Sequence, residues 1–370
     1  MIGKAILILL CVLPFSAVFF MMANLKIDIW HSQGYFAQAG ILILYCIHLF
    51  KKNKPLSLLL LWSGLLTFYL FVNIHSQTQQ YAALVFFPFF NFLCMVILFD
   101  IITSYLNKKD FEKIYKYLSL SVAIVLVYCV LQKLNLDQFY RSMNDAVLSD
   151  SLVGTVGNTM HLSHYLAICI PFFLINNKVA GKIGVLATLG IIILSGSSSG
   201  LFVALAVLAF YSCFFPIFNK KEIILLVLIG AIALVVKHPD IPTLAKDLIY
   251  SNGRMEIWKK YLPIFAEKPI TGWGLGIVNG FAQKEPVLGW RHLHNEFFHY
   301  AVELGLIGVG FIIWGIVDFF RRLKKEKLSV ISASVFLGFI LTSLFGYPSH
   351  LWLLSSMGLI SYSYFYTGEE

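Results

Sequence analysis

Apolar residues run along this chain in long blocks separated by short polar connections. A helix that crosses a bilayer needs about 20 such residues, fewer when flanking side chains reach for the interface. On that template twelve spans are expected, near residues 5–23, 35–50, 56–73, 81–105, 117–132, 162–175, 183–196, 199–215, 222–236, 297–318, 329–345 and 350–366. The expected fold is therefore all-α and integral to a membrane, a single polytopic domain over 1–370 without heptads or internal repeats. Two polar connections are long, about 132–161 and 237–296; the second is expected to be a large loop carrying short amphipathic helices between the ninth and tenth spans. The first block follows Lys4 and lacks a small-x-small cleavage site, which makes it an uncleaved span rather than a signal peptide.

Composition removes the soluble alternative: 59% of residues are hydrophobic and 13% charged, and the mean hydropathy is +0.79. Many aromatic side chains stand near block ends, where amphipathic rings favour the membrane interface. All six cysteines lie inside apolar blocks with no CxxC pair, so neither disulfides nor a cysteine zinc site is expected.

The net charge of +9 is ambiguous as a sum, since both nucleic-acid binding and membrane topology produce one. Its placement decides. Lys51, Lys52 and Lys54, then Lys108, Lys109, Lys113 and Lys116, then Lys178 and Lys182, then Lys220 and Lys221, then Arg321, Arg322, Lys324, Lys325 and Lys327 occupy alternate connections, all on one side. The short connections between them, 73–80, 196–199 and 346–350, hold neither Lys nor Arg. By the positive-inside rule the basic side and both termini are cytoplasmic, in a bacterial inner membrane. Membrane lipids rather than nucleic acid are the expected surroundings, and chemistry belongs on the outer face.

There the 237–296 loop concentrates polar residues. Arg254 opens a stretch in which Met255, Ile257, Trp258, Tyr261, Leu262 and Phe265 make an apolar face at helical spacing, as on a helix lying along a bilayer. Arg254 could equally do no more than contact lipid headgroups. Gly272, Gly274 and Gly276 allow a backbone to approach a ligand, although a simple turn accounts for them better. His292 and His294 flank Leu293 at the entrance to the tenth span, where an imidazole can take a proton near neutral pH. As a metal pair they lack partners in HExxH or cysteine form, and no metal or other cofactor is expected. Within the tenth span Glu296, His299, Tyr300 and Glu303 share one face, either lining a cavity or forming a structural polar network. Asn158, His161 and His164 open the sixth span, and Ser195, Ser197, Ser198 and Ser199 mark the turn between the seventh and eighth, where small residues permit close helix packing or line an acceptor site.

Three ordered motifs give these residues a family likeness. His294-Asn295, nine residues, then Gly305-x-x-Gly308; Arg254-x-x-x-Trp258 followed by Pro269-x-x-Gly272-x-Gly274; and Gly154-Thr155-Val156-Gly157-Asn158 with His161, Leu162 and Ala167 resemble the O-antigen ligase and O-antigen polymerase superfamily of membrane glycosyltransferases over about 150–310. One departure is Ser197-Ser198, where many members carry Ser-Arg; Arg291 or Arg141 is a candidate to replace that charge near the phosphates.

The resemblance implies transfer of a glycan from an undecaprenyl-diphosphate carrier to an acceptor hydroxyl at the periplasmic face. Arg254 would stabilise the diphosphate leaving group and His294 would act as base, with Asn295, His292, His161 and Asn158 among the substrate contacts. In-line displacement would invert the anomeric centre without a metal ion. The acceptor is expected to be lipid A core, as in lipopolysaccharide biosynthesis by a ligase. A carrier-linked repeat unit, as for a polymerase, and a protein hydroxyl are the alternatives within the superfamily, and a lipid-linked glycan flippase or transporter is the alternative outside it.

Overall fold

The computed structural model describes residues 2–16, 29–52, 82–137, 152–176, 178–217, 219, 221–222, 228, 254–284 and 292–368. They form α1 (Ile2–Val12), α2 (Ile29–Lys52), α3 (Ala82–Tyr105), α4 (Lys108–Lys133), α5 (Thr159–Phe173), α6 (Lys178–Ser195), α7 (Ser198–Ser212), α8 (Arg254–Glu267), α9 (Ile277–Lys284), α10 (Glu296–Arg321), α11 (Lys327–Ser343) and α12 (Trp352–Ser363), plus short 3₁₀ turns at Leu13–Phe15 and Pro348–His350. Among the described residues there is no strand.

These twelve α-helices are not the twelve spans expected. Ten fall on predicted segments, α8 and α9 belong to the long loop, and the segments 56–73 and nearly all of 222–236 lie outside the described residues. The first helix is shorter than its apolar block, because Pro14 sits in a 3₁₀ turn that follows Val12 and offers no backbone N–H to an α-helical ladder. Two described helices, α4 and α10, are long and apolar enough to cross a membrane, and six more contain shorter apolar stretches of 10–17 residues.

Helix starts follow local chemistry. Asn107 and Asp110 form a reciprocal capping box on α4, and Asn158, Ser197 and Asn295 cap α5, α7 and α10 with their side chains. α5 has no polar face to present: every residue from His161 to Phe173 is buried, as expected of a helix surrounded on all sides. It packs against α4, α6, α7, α11 and α12. Gly200 brings α7 so close that a Cβ there would meet the Ser163 side chain at 2.3 Å, the close packing that small residues permit.

The outward faces of the long helices are apolar. Val127 on α4 is 60% exposed, and Phe311 and Trp314 on α10 are 69% and 63% exposed, a surface that hydrocarbon tolerates and water does not. At one end of the bundle the basic turns gather: the Lys327 ammonium reaches the Ile175 carbonyl at 3.3 Å, and Lys182 pairs with Glu222 at 2.8 Å. The N-termini of α5, α7 and α10 meet at the opposite end, where α8 and α9 also pack.

Candidate functional site

α10 is the helix on which the site is built, and it is not continuous. Gly305 has φ +65° and ψ −168°, breaking the ladder where the sequence predicts an unbroken span. The segment after α8 fills the break with backbone: Trp273 and Gly274 donate to the carbonyls of Val302 and Glu303 at 3.0 and 2.7 Å, and Leu306 and Ile307 donate to Pro269 and Ile270 at 2.8 and 3.3 Å. The groups orphaned by the break thus find partners within the protein. Only glycine fits either side of this seam. A Cβ on Gly305 would lie 2.2 Å from the Ile270 oxygen, and one on Gly272 would lie 2.4 Å from the Glu303 carbonyl. Gly272 and Gly274 are therefore more than a simple turn; they dock the loop into the tenth helix.

The amphipathic stretch after Arg254 is helical as expected, but its apolar face turns largely onto protein. Ile257 and Tyr261 pack with Val278, Leu293 and Val302, joined by Trp258, Ile264, Phe265 and Trp273; Met255 and Leu262 point outward. Two indole N–H groups fasten this small cluster, Trp258 to the Leu293 carbonyl and Trp273 to the Ile264 carbonyl, both at 2.7 Å. The first matters most for chemistry, because Leu293 lies between His292 and His294.

His294 itself adopts a left-handed backbone conformation, φ +51°, uncommon for a non-glycine residue. Its ring meets the Tyr347 ring edge-on at 5.1 Å. Burial, then the nearby Arg254 charge, then His299 push its pKa down to about 4. Burial likewise lowers that of Arg254, whose Nη2 lies 3.4 Å from the Met160 sulfur and whose Nε has no hydrogen-bond partner among the described residues. A guanidinium with an unused donor beside a neutral imidazole can receive an anion and a proton on adjacent groups.

The other expected residues divide into three groups. His161 joins the same end of the bundle, its Nε2 hydrogen-bonding the Tyr347 hydroxyl at 3.3 Å, and His292 stacks on Tyr347 at 4.1 Å between ring centres. Asn158 and Asn295 are present but engaged: the Asn158 side-chain oxygen accepts from Met160 and His161 N–H, and that of Asn295 accepts from Phe298 N–H while its amide donates to the Leu344 carbonyl at 3.4 Å. Arg141 and Arg291 lie outside the described residues. His164 pairs with Ser199 at 3.0 Å, which ties the serine turn to α5.

Sequence reasoning missed the turn between α11 and α12. Tyr347 touches His161, His292 and His294, and Ser349 holds Glu296 through its N–H at 3.1 Å and its hydroxyl, while the Tyr300 hydroxyl contacts Ser349 Oγ at 2.6 Å. The signal available was a short outer connection, Gly346 to His350, that was rich in polar and aromatic groups yet carried no Lys or Arg. Beside this polar end lies an apolar groove of about 470 Å³, running from Glu296, Tyr300 and His350 down between α10, α11 and α12 to Phe336 and Tyr362.

Residues 183–313 match the family model for O-antigen ligase. This is the superfamily that the motifs resemble. The matched region contains Arg254, His294 and both halves of the Gly272–Gly305 seam. No curated protein matches the chain. O-antigen ligases are membrane glycan-transferring proteins of lipopolysaccharide biosynthesis, which agrees with the apolar outer faces of α4 and α10.

Proposed function

We propose that this chain transfers a glycan from an undecaprenyl-diphosphate carrier to an acceptor hydroxyl on the periplasmic face of the bacterial inner membrane, with lipid A core as the acceptor. The observation that carries this reading is that Arg254 and His294 lie at the same end of the bundle, near enough for the guanidinium charge to act on the imidazole, with an apolar groove opening from Glu296, Tyr300 and His350. A carrier lipid presents both an anionic headgroup and a hydrocarbon tail, and these two surfaces receive one each. The positive-inside pattern supports placing that end outside the cell and the basic turns inside, with both termini cytoplasmic.

The acceptor hydroxyl attacks the anomeric carbon as its proton passes to His294, and the bond to the diphosphate oxygen breaks on the opposite side, inverting the configuration. Arg254 meets the charge that grows on the diphosphate, so the leaving group needs neither a proton nor a metal ion. The Trp258 bond to Leu293 and the Tyr347 ring hold the imidazole loop in place. A repeat-unit polymerase or a protein O-oligosaccharyltransferase would use the same residues and differ in what occupies the acceptor side. A transporter would need a cavity at a helix break, and the break at Gly305 is filled by backbone from 269–274.

Reconstituted with carrier-linked glycan and lipid A core, the wild type is expected to produce ligated product. His294→Ala should slow transfer by roughly 10²–10⁴-fold and Arg254→Ala by about 10²–10³-fold, at unchanged protein level. Elongation of the carrier-linked chain would make the protein a polymerase, transfer to a pilin-like protein would make it a protein glycosyltransferase, and full activity in both variants would overturn the mechanism.

A further inference from the structure

Three imidazoles converge behind His294. His292 comes from the loop before α10, His299 from the first turn of α10, and His350 from the 3₁₀ turn before α12. One ring nitrogen of each lies within 4.8 Å of those of the other two. Ring centres are 4.8 Å apart for His292 and His350, 4.8 Å for His299 and His350, and 5.7 Å for the near-parallel His292 and His299.

Each of the three keeps one buried nitrogen without a hydrogen-bond partner: Nδ1 of His292, Nδ1 of His299 and Nε2 of His350. Buried polar atoms are normally paired, and three unpaired nitrogens on three neighbouring rings call for a partner. The tautomer of His299 is set from behind, because its Nε2 lies 3.1 Å from a Glu303 carboxylate oxygen. With the proton on that side, Nδ1 offers a lone pair inward, which is how a carboxylate prepares a histidine for a metal. The Glu296 carboxylate stands at the edge of the triad: its Oε1 is 3.4 Å from His350 Nε2, and Ser349 fixes it through N–H and hydroxyl.

We propose that His292, His299 and His350 bind a divalent transition-metal ion of the zinc class. Three imidazoles are a donor set for that ion rather than for calcium or magnesium. A tetrahedral ion with bonds near 2.0 Å holds its ligand atoms about 3.3 Å apart, so binding draws the widest pair together by roughly 1.5 Å through side-chain rotation. Its ligands come from three separate segments, which makes the ion a structural clamp between the His292–Asn295 loop, α10 and the Pro348–His350 turn. It takes no part in glycan transfer. The site stands on side-chain geometry alone and does not rest on the proposed reaction.

The test is the metal content of the full-length protein, purified in detergent through a tag without histidine, exposed to Zn²⁺ or Co²⁺ and passed through a desalting column. The expected result is about one ion per chain, with the Co²⁺ form showing the visible d–d absorption of a four-coordinate site. His299→Gln and His350→Asn should reduce the content to background while His164→Asn retains it, all three running as a single gel-filtration peak. A wild type that retains no ion, or triad variants that retain it, would overturn the site and assign the three nitrogens to a buried water. Should the triad variants fail to fold, the Co²⁺ spectrum of the wild type decides alone. No transfer assay enters, so a protein that binds the ion and transfers nothing leaves this site standing and sinks only the functional reading.

Discussion

Trp258 shows how one side chain ties the loop helix to the candidate site. Its indole N–H holds the Leu293 carbonyl at 2.7 Å, and its ring packs edge-on against Phe298 at 6.4 Å, so the histidines on either side of Leu293 are placed through the backbone between them. Trp258→Phe keeps most of the packing and loses the hydrogen bond, which costs about 1 kcal/mol of stability. The larger effect should fall on kcat, because His294 loses its register, while KM for the donor changes little. Steady-state kinetics on the purified variant separate the two, and an unchanged kcat would show that the loop is held elsewhere. Residues of this kind were half legible. Arg254 and Trp258 stand out through their spacing of four, but nothing in the sequence says that the indole reaches a carbonyl some 35 positions later. Tyr347, Ser349 and His350 showed only as a polar, aromatic outer turn; their partners come from other helices.

At the scale of elements, the helices were read well and their interruption was not. Apolar residues continue on both sides of Gly305, so the periodicity that identifies α10 carries no sign of the break. The signal lay in two glycine motifs taken together, since Gly272 and Gly305 are the two positions where the facing backbones leave no room for a Cβ. Gly305→Ala combines a left-handed backbone with a clash against a carbonyl oxygen, and should destabilise the protein by roughly 2 kcal/mol or more. Thermal unfolding in detergent measures it. Combined with Gly272→Ala, the loss should be smaller than the sum of the two, because either substitution already opens the seam. The helix after Arg254 taught the opposite lesson: periodicity located its apolar face correctly, while the partner proved to be largely protein rather than bilayer.

For the whole molecule, the arrangement separates a polar end, an apolar groove and a basic end. The charge pattern along the sequence anticipated the first and last, and the described contacts agree, with Lys327 and Lys182 at one end and Tyr347, His161 and His294 at the other. The groove was not anticipated, because it is a space between helices distant in sequence. Gly315 lines it, with only the Tyr362 hydroxyl near the position of an added Cβ, at 3.9 Å. Gly315→Phe should therefore fold and fill the groove. A donor on a full-length polyisoprenoid should then show a KM raised on the order of tenfold, equivalent to about 1.4 kcal/mol, while a donor on a short prenyl chain is handled as before. Equal effects on both donors would move the lipid site elsewhere.

The broken helix also changes where this molecule can be cut and rejoined. Residues 296–304 carry Glu296, His299, Tyr300 and Glu303 and are held by the loop, whereas 306–321 present Phe311 and Trp314 outward. The working boundary between reacting head and anchoring stem thus runs through the middle of a helix, at Gly305. Chimaeras between relatives spliced at loops would separate 269–274 from the helix they are keyed to. Those spliced at Gly305, with 269–274 and 305–308 inherited from one parent, would keep that seam matched.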